Sequence, residues 1–545
     1  MSAHFNLTQY CVAENARLRP LAPALCFADW TNDNRSSPEL SIREWTFIEL
    51  ERRILQVADS LRRYDVPPGE RLLVRLPHSP EFAFAFFGAI AAGLVAVPVS
   101  PRLTATEIAF LISDARPALL CHDDTLPLPD HTILSEHRVR AITVPEISGD
   151  PKHAASDASS GSSAGYARPA SEDPAFLLYT SGTTGRPKGV LHAQRSVIGR
   201  RPMIADWTDL RASDRLLHAG ELNWTYSLGV GLMDPWSVGA AGLLYRGPSD
   251  PTIWPRLITE LGATIFAAVP ALYRRILKYN DLSQSDLSKL RHGLTAGEAL
   301  SAELYADWTR ATNKPLYEAL GMSEISTYIS SGPRTPTRPG SPGRPQAGRS
   351  IAIIKTAATD TDTTDESSSL DSREWTATAS PEFCATDEPG LLAVRRDDPG
   401  LMLGYWNRPE EDRRVYAGEW FIGGDLAACD ADGYVKFYGR GDDVMNASGY
   451  RVAPVEVERV LQEHPAVLEV AVCETSPAAG IRVITAFVVP RDATLIHSRE
   501  RVAAQIVELQ NFVANRLADY KRPREYVFRA ELPRTMNGKV IKSRL

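Results

Sequence analysis

Helical and short apolar segments alternate along the first half of the chain. Apolar residues recur at helical spacing over Thr46–Tyr64, and Arg71–Leu76 is a short Leu/Val-rich run typical of a strand. This alternation predicts an α/β fold with a largely parallel sheet, because parallel strands need a crossover helix between them. It resumes later, where Leu261–Leu277 indicates a strand and then a helix, and Leu290–Ala296 indicates another strand.

One uncharged stretch, Phe82–Val99, is eighteen residues long and so reaches the length of a membrane span. It is rich in Ala and Gly, it is interrupted at Gly93, and Pro98 lies in its Val-rich end. A buried helix followed by a buried parallel strand explains all three features. We therefore predict no membrane span.

The chain has 545 residues, too many for one hydrophobic core. Two polar segments, Ser148–Asp173 and Thr356–Glu374, read as surface segments with little ability to pack. Gly439–Asp443 ends one compact region, and the remaining residues carry their own strand and helix signals. We predict a large domain over residues 1–441 and a small α+β domain over residues 442–545.

Composition excludes several classes of protein. The net charge is −7 and no basic run stands out, which argues against nucleic acid as a partner. The scattered cysteines indicate neither a zinc site nor a disulfide framework. The first residues lack the basic and apolar parts of a signal peptide. We expect a cytoplasmic protein, a monomer or a homodimer.

The stretch LLYTSGTTGRPKGVLH, Leu177–His192, has the composition of a phosphate-binding loop. Arg186 and Pro187 break the Walker pattern, and the dinucleotide fingerprint is absent too. Glycines let backbone amides approach anionic oxygens, hydroxyls add donors, and lysine adds a charge. A flexible Gly/Thr hairpin is the alternative. The candidate ATP-binding residues are Thr180, Ser181, Gly182, Thr183, Thr184, Gly185 and Lys188.

This loop resembles that of the AMP-forming acyl-CoA synthetases and their adenylate-forming relatives. The resemblance extends from about Leu18 to the C-terminus, because further family signatures follow in order. It implies the adenylate-forming enzyme fold: a large N-terminal domain with mixed and parallel sheets sandwiched by helices, and a small mobile C-terminal α+β domain. It also implies ATP, Mg²⁺ and CoA as cofactors.

Tyr317–Glu324 resembles the family's aromatic-Gly-x-Thr-Glu element. By that resemblance Ser323 and Glu324 contact the α-phosphate and Mg²⁺, and a carboxylate suits this metal. Leu320 replaces the usual aromatic residue, and serine replaces threonine. On its own, Glu324 would indicate a surface turn or the start of a helix. On its own, Gly297-Glu298-Ala299 would indicate a common loop. The resemblance places six residues beside the nucleotide: Gly297, Glu298, Ala299, Glu318, Ala319 and Leu320.

Downstream elements complete the resemblance. Asp425, in Trp420–Asp425, is implied to hold the ribose, although Gly423 stands where threonine is common; Arg440 is implied to contact ribose or phosphate. The remaining implied roles are a hinge pivot for Asp442, passage of the CoA pantetheine for Gly449, a phosphate contact for Arg451, and catalysis of adenylation for Lys539. A lone Gly-Lys near a chain end would otherwise be read as a solvated turn.

The implied reaction joins a carboxylic acid to AMP with release of pyrophosphate, and then transfers the acyl group to CoA with release of AMP. Trp224 lies where the family lines its acyl pocket, and Gly321 stands where acetate-specific relatives carry tryptophan. We therefore expect an acid larger than acetate, aromatic or alicyclic as in the benzoate-type ligases. Alternatives are a medium-chain fatty acid, an adenylating enzyme that loads a separate carrier protein, and a binding protein without chemistry.

Overall fold

The computed structural model describes residues 4–31, 39–148, 165–181, 187–355, 381–440, 445–447, 450–478, 481–514, 516–517, 519–535 and 540–545. Within these ranges the helices are Leu7–Leu18 (α1), Phe47–Arg62 (α2), Pro80–Ala92 (α3), Ala105–Ala115 (α4), His131–Glu136 (α5), Val144–Ile147 (α6), Arg201–Met203 (α7), Thr225–Leu228 (α8), Asp234–Val238 (α9), Ile253–Glu260 (α10), Pro270–Tyr279 (α11), Ala302–Thr312 (α12), Pro409–Arg414 (α13), Pro454–Gln462 (α14) and Arg499–Ala514 (α15).

The strands of the same ranges are Pro23–Thr31 (β1), Glu39–Thr46 (β2), Arg71–Arg75 (β3), Val95–Pro98 (β4), Leu119–His122 (β5), Arg140–Thr143 (β6), Pro174–Ser181 (β7), Pro187–Ala193 (β8), Arg215–His218 (β9), Ala241–Arg246 (β10), Ile265–Ala268 (β11), His292–Ala296 (β12), Leu316–Met322 (β13), Ser326–Ser330 (β14), Arg344–Pro345 (β15), Ile351–Ile354 (β16), Gly390–Arg395 (β17), Gly404–Tyr405 (β18), Tyr416–Ala417 (β19), Trp420–Cys429 (β20), Val435–Arg440 (β21), Met445–Ala447 (β22), Tyr450–Val452 (β23), Val467–Ala478 (β24), Ile481–Pro490 (β25) and Glu525–Phe528 (β26).

A seven-stranded sheet has the order β18-β8-β7-β4-β3-β5-β6. The segment Phe82–Val99 supplies α3 and β4, and α3 ends at Gly93 in the left-handed conformation, with φ of 91°. Both elements are buried, and β4 pairs in parallel with β3. The prediction of a buried helix and a parallel strand is confirmed. Across the described residues, no helix has the length and apolar character that crossing a membrane requires.

A nine-stranded sheet has the order β15-β14-β13-β12-β11-β9-β10-β1-β2. Strands β10, β9, β11, β12 and β13 run parallel, as the alternation predicts. The carboxyl ends of parallel strands meet at one edge, so the residues that follow β9, β12 and β13 lie close together there. They include Trp224, Gly297–Ala299 and Ser323–Glu324, which the sequence assigns to the acid or to ATP.

A third sheet, of five strands, joins β16, β17, β20, β19 and β21. Beyond it, β24, β25 and β26 form a three-stranded sheet whose core includes apolar residues of α14 and α15. This is the predicted small α+β domain, attached to a large domain of mixed and parallel sheets with helices.

The first polar segment differs from the prediction at its end. Residues 149–164 of this segment lie outside the described part of the chain. Residues 356–380, which include the whole second segment, lie outside it as well. Residues 165–173 pack against the large domain: Ala167 N–H donates to the Ala91 carbonyl at 2.8 Å, and the Tyr166 hydroxyl donates to Glu51 at 2.8 Å. Tyr166 supplies the apolar ring and the hydroxyl that fix this end.

Candidate active site

The flanks of the Gly/Thr-rich loop form an antiparallel pair, β7 with β8. Thr180 pairs with Lys188 and Ser181 with Pro187, so the pair presents the hydroxyl residue and the lysine side by side at its open end. Gly182, Thr183, Thr184 and Gly185 lie outside the described residues.

Lys188 reaches away from its own hairpin. Its Nζ lies 3.9 Å from the ring centre of Tyr405 and 3.7 Å from an oxygen of Glu411. Its side chain is only 21% exposed, so the charge is held in place by these neighbours. A phosphate that enters here would compete with Glu411 for the ammonium group.

Glu324 lies in the turn between β13 and β14, and three contacts from elsewhere in the chain fix that turn. The Tyr405 hydroxyl donates to Glu324 Oε1 at 2.8 Å, and Met402 N–H donates to the Glu324 carbonyl at 2.7 Å. His192 Nε2 lies 2.8 Å from the Ser323 carbonyl. Burial lowers the pKa of His192 to about 4, so the ring is neutral and donates its one proton to that carbonyl.

Asp425 and Arg440 lie opposite each other on β20 and β21, with Asp425 Oδ1 and Arg440 Nη1 3.6 Å apart. Asp425 is buried, and Arg440 Nη1 also donates to the Gly423 carbonyl at 2.7 Å. The structure explains Gly423: a Cβ there would lie 2.6 Å from the sulfur of Met322. Methionine thus occupies the space that a threonine would need.

The strand that carries Asp425 lies against the β13–β14 hairpin, because Gly423 of β20 approaches the side chain of Met322. Tyr328 of β14 is buried, and its hydroxyl has no partner among the described residues. Its pKa is raised first by burial and then by the charges of Asp425 and Glu324, while Arg440 lowers it. The approach of Gly423 to Met322 brings the region implied for the ribose next to the hairpin that carries Glu324.

Glu318 is a buried carboxyl group on β13. Its Oε1 accepts the Leu300 N–H at 3.0 Å, whereas its Oε2 is buried and has no partner among the described residues. Burial raises the pKa of Glu318 to about 8. Near neutral pH this carboxyl group is therefore largely protonated, and its unbonded oxygen can carry the proton. Ala319 is buried beside it, and Leu320 packs in the neighbouring hydrophobic cluster.

The Gly297–Ala299 loop follows β12, and its central residue turns toward the small domain. Glu298 accepts from Arg534 at 2.5 Å and from Arg274 at 3.3 Å. Arg534 also donates to Glu469 at 2.8 Å, and Glu469 lies 4.0 Å from Arg274. We call these four residues the interdomain cluster. The carboxylate of Glu298 is thus engaged by two arginines, a contact that its sequence context does not indicate.

Trp224 stands against the same loop. Gly297 has φ of 92°, and a Cβ there would lie 3.3 Å from the Trp224 ring. The rings of Trp224 and Tyr226 are perpendicular, with centres 5.2 Å apart, and belong to a hydrophobic cluster that also includes Trp207, Leu294 and Ala296. Trp224 remains partly exposed beside the Gly297 loop.

Glycine at position 321 is explained by the close approach of two backbones and not by the size of the acid pocket. A Cβ at this position would lie 2.7 Å from Thr327 Cα, because the β13–β14 hairpin brings its two backbones together here. The hairpin itself therefore requires glycine. The size of the acid has to be argued from Trp224 and its neighbours instead.

The predicted residues of the small domain fall largely outside the described ranges. Asp442, Gly449 and Lys539 are not among the described residues, and for Arg451 only the backbone, in β23, is described. Arg534, five residues before Lys539, contacts Glu298 of the large domain.

Comparison with known proteins identifies the family. Residues 12–406 match the model of the AMP-binding enzymes, and residues 456–539 match the C-terminal domain of AMP-binding enzymes. A human mitochondrial acyl-coenzyme A synthetase is 30% identical over 567 aligned positions, which cover 100% of this chain and 89% of the relative. The chain belongs to the AMP-forming acyl-CoA synthetases. ATP, CoA and a carboxylic acid are the substrates of this synthetase, as the sequence predicts.

Two further relatives act on aromatic acids. The 3-hydroxybenzoate–CoA ligase of Aromatoleum sp. (strain CIB) is 29% identical over 516 residues, covering 92% of this synthetase and 91% of the relative. The crystal structure of an anthranilate CoA ligase in complex with anthranoyl-AMP superposes with a TM-score of 0.80 at 29% identity, covering 99% of this synthetase and 96% of that chain. The predicted resemblance to benzoate-type ligases is confirmed.

Two contributors to the site were missed in the sequence. The Tyr405 hydroxyl donates to Glu324, and the Lys188 ammonium lies over the Tyr405 ring. His192 is hydrogen-bonded to the Ser323 carbonyl. The run Gly404-Tyr405-Trp406-Asn407-Arg408-Pro409 is a signal that could have drawn attention to Tyr405. His192 ends the stretch Leu177–His192, and a histidine so close to a candidate phosphate loop is the signal for its role.

Proposed function

We propose that this synthetase activates an aromatic carboxylic acid as its acyl-adenylate and transfers the acyl group to CoA. The observation that carries the proposal is the convergence of distant segments. Lys188 and Glu324 meet at Tyr405, and Gly423, two residues before Asp425, lies against Met322, two residues before Glu324. These are the lysine, the acidic residue and the aspartate that the sequence assigns to one ATP molecule.

In this proposal Glu324 holds Mg²⁺, a role that its half-buried carboxylate fits, because Mg²⁺ prefers oxygen ligands and keeps water and phosphate oxygens in its shell. The metal ion would neutralise charge that develops at the α-phosphate. Lys188 and the loop that includes Thr180, Ser181, Gly182, Thr183, Thr184 and Gly185 hold the leaving phosphates, and Ser323 contacts the α-phosphate.

The nucleoside would be held by groups on either side of the β13–β14 hairpin. In this proposal Glu318, Ala319 and Leu320 of β13 lie beside the adenine, and the buried Asp425 carboxylate binds the ribose hydroxyls. Arg440, beside Asp425, contacts ribose or phosphate. No side-chain base is needed, because the acid is already ionised near neutral pH.

Both half-reactions would share this site through a change in domain arrangement. We place the boundary between residues 441 and 442, with Asp442 as the pivot. Lys539 stabilises the adenylation step, and Gly449 and Arg451 serve CoA after the small domain turns. A packed interface with two arrangements is a known way to complete a site in stages.

The acid is proposed to be aromatic because Trp224 and Tyr226 lie at the edge of the sheet implied for the acid. The Trp224 ring packs directly against Gly297, where a Cβ would be only 3.3 Å away, and the ring centres of Trp224 and Tyr226 are 5.2 Å apart. A flat ring can stack against an indole, whereas a flexible chain gains less there. The two aromatic-acid ligases that this synthetase resembles agree with that choice.

The test is pyrophosphate release from ATP with a panel of benzoates, alicyclic acids and straight-chain acids, each with and without CoA. We expect release that depends on a benzoate-type acid, and acyl-CoA only when CoA is added. The highest kcat/KM for hexanoate or octanoate would replace the aromatic proposal with a medium-chain one. Accumulation of acyl-AMP that CoA does not consume would favour a carrier-protein acceptor.

A further inference from the structure

Tyr405 connects two parts of the site that are far apart in the chain. Its hydroxyl donates to Glu324 Oε1 at 2.8 Å, 81 residues away, and the Lys188 ammonium lies 3.9 Å from its ring centre. Through one side chain, the end of the phosphate loop is linked to the turn that carries the acidic residue.

The backbone holds Tyr405 in one place. Gly404 and Tyr405 form β18, which pairs with Leu191 and Val190 of β8, and Tyr405 N–H donates to Asp412 Oδ1 at 2.8 Å. The side chain is 6% exposed. Because its backbone is hydrogen-bonded and its ring is buried, Tyr405 can fix the positions of the two groups that it contacts, the Glu324 carboxylate and the Lys188 ammonium.

The two contacts act on different groups. A hydroxyl that donates to one carboxylate oxygen fixes the rotation of Glu324 and leaves the other oxygen to face a cation. The ring face attracts the Lys188 ammonium and opposes its collapse onto Glu411, which lies 3.7 Å away. A phenol keeps its proton near neutral pH, so the Tyr405 hydroxyl is a donor to the carboxylate.

We propose that Tyr405 is a positioning residue of the ATP site, which orients Glu324 toward the metal ion and Lys188 toward the phosphates. The proposal rests on the proposed function, because that function assigns the metal to Glu324. Partners that orient a metal-binding carboxylate typically change metal affinity by 10- to 100-fold when they are removed.

Three variants separate the two contacts. Tyr405→Phe removes the bond to Glu324 and keeps the ring, and Tyr405→Leu removes both. Tyr166→Phe is the matched control, because the Tyr166 hydroxyl donates at the same 2.8 Å to the carboxylate of Glu51, a residue of α2 that has no proposed role in the site. Mn²⁺ binding is measured by electron paramagnetic resonance with α,β-methylene-ATP present, together with the thermal midpoint of each variant.

We expect Tyr405→Phe to weaken Mn²⁺ binding about tenfold and to leave binding of the metal-free analogue unchanged. Tyr405→Leu should also weaken the metal-free analogue by about two- to fivefold, as loss of a cation–π contact predicts. Tyr166→Phe should change neither. In a Glu324→Gln background, Tyr405→Phe should have no further effect on Mn²⁺, which gives a second test if one variant is unstable.

Equal Mn²⁺ affinity in Tyr405→Phe and the parent would overturn the proposal. So would an additive effect in the Glu324→Gln background. If the parent itself shows no analogue-dependent Mn²⁺ binding, the metal role of Glu324 fails, and with it the proposed function's metal site rather than Tyr405 alone.

Discussion

The interdomain cluster should favour adenylation over thioester formation. Arg534 belongs to the small domain and donates at 2.5 Å to Glu298, which belongs to the loop after β12 in the large domain. Lys539 follows five residues later. The contact therefore holds the segment that leads to Lys539 against the side of the site where ATP is proposed to bind, and Arg534→Gln should release it.

The magnitude follows from the surroundings of the contact. The side chains of Arg534, Glu298 and Glu469 are between 13% and 22% exposed, so water screens them only partly. A hydrogen bond between charged groups contributes about 1.5–3 kcal/mol, and about 2 kcal/mol corresponds to a roughly 30-fold shift between domain arrangements. Loss of the arginine also leaves the Glu298 and Glu469 carboxylates with Arg274 as their shared partner among the described residues.

The assay separates the half-reactions. Acid-dependent exchange between ATP and pyrophosphate reports adenylation, and CoA thiol consumption with synthetic acyl-AMP reports thioester formation. For Arg534→Gln we expect exchange to fall by about 10- to 30-fold and thioester formation to stay within about twofold. Equal losses in both half-reactions, or no loss of exchange, would refute the reasoning.

A second ion pair between the domains supplies the control. Arg491 pairs with Glu303, but their side chains are 42% and 38% exposed. Exposed pairs contribute about 0–1 kcal/mol, so Arg491→Gln should change exchange by less than about fivefold.

Three other predictions use assays on different parts of the chain. Lys539→Ala should abolish adenylation while supplied acyl-AMP still reacts with CoA; equal loss of both steps would remove the assigned role. Trp224→Ala should raise the KM for benzoates at least several-fold with little change in the KM for ATP, measured by pyrophosphate release, and an equal rise in both would contradict a pocket role. His192 and His218 are buried, and burial lowers their pKa values to about 4 and about 3 from an ordinary 6.5. Because both rings are neutral in the folded protein, their contribution to stability is complete above pH 6.5. As pH falls from 6.5 toward the folded pKa, each histidine lowers the free energy of unfolding by up to about 1.4 kcal/mol per pH unit. The thermal midpoint should therefore fall steeply below pH 6.5, less so in His192→Asn, and a flat profile would count against this.

Much of the architecture could be predicted because it depends on local pattern. The helix and strand in Phe82–Val99 follow from burial of an apolar run broken by Gly93, and β12 follows from the apolar residues that precede Gly297. Parallel pairing then follows from alternation, and the order of motifs gives the family.

Contacts between distant segments could not be predicted in the same way. Nothing near Tyr405 in the sequence indicates that it meets Glu324 and Lys188, because that requires β18 to pair with β8. Glu298 looks like a nucleotide contact in its own loop, and its pairing with Arg534 depends on how the two domains pack. Gly321 looks like a pocket feature until the backbone of β14 is placed beside it.

The central claim is that the carboxylate of an aromatic acid attacks the α-phosphate of ATP. Benzoate or 3-hydroxybenzoate labelled with ¹⁸O in both carboxylate oxygens, incubated with this synthetase, ATP and CoA, tests it directly by mass spectrometry of the nucleotide product. We expect each AMP to carry one ¹⁸O atom, transferred when the acyl–AMP bond breaks between the carbonyl carbon and the bridging oxygen. Unlabelled AMP, or ADP with the label in inorganic phosphate, would contradict it.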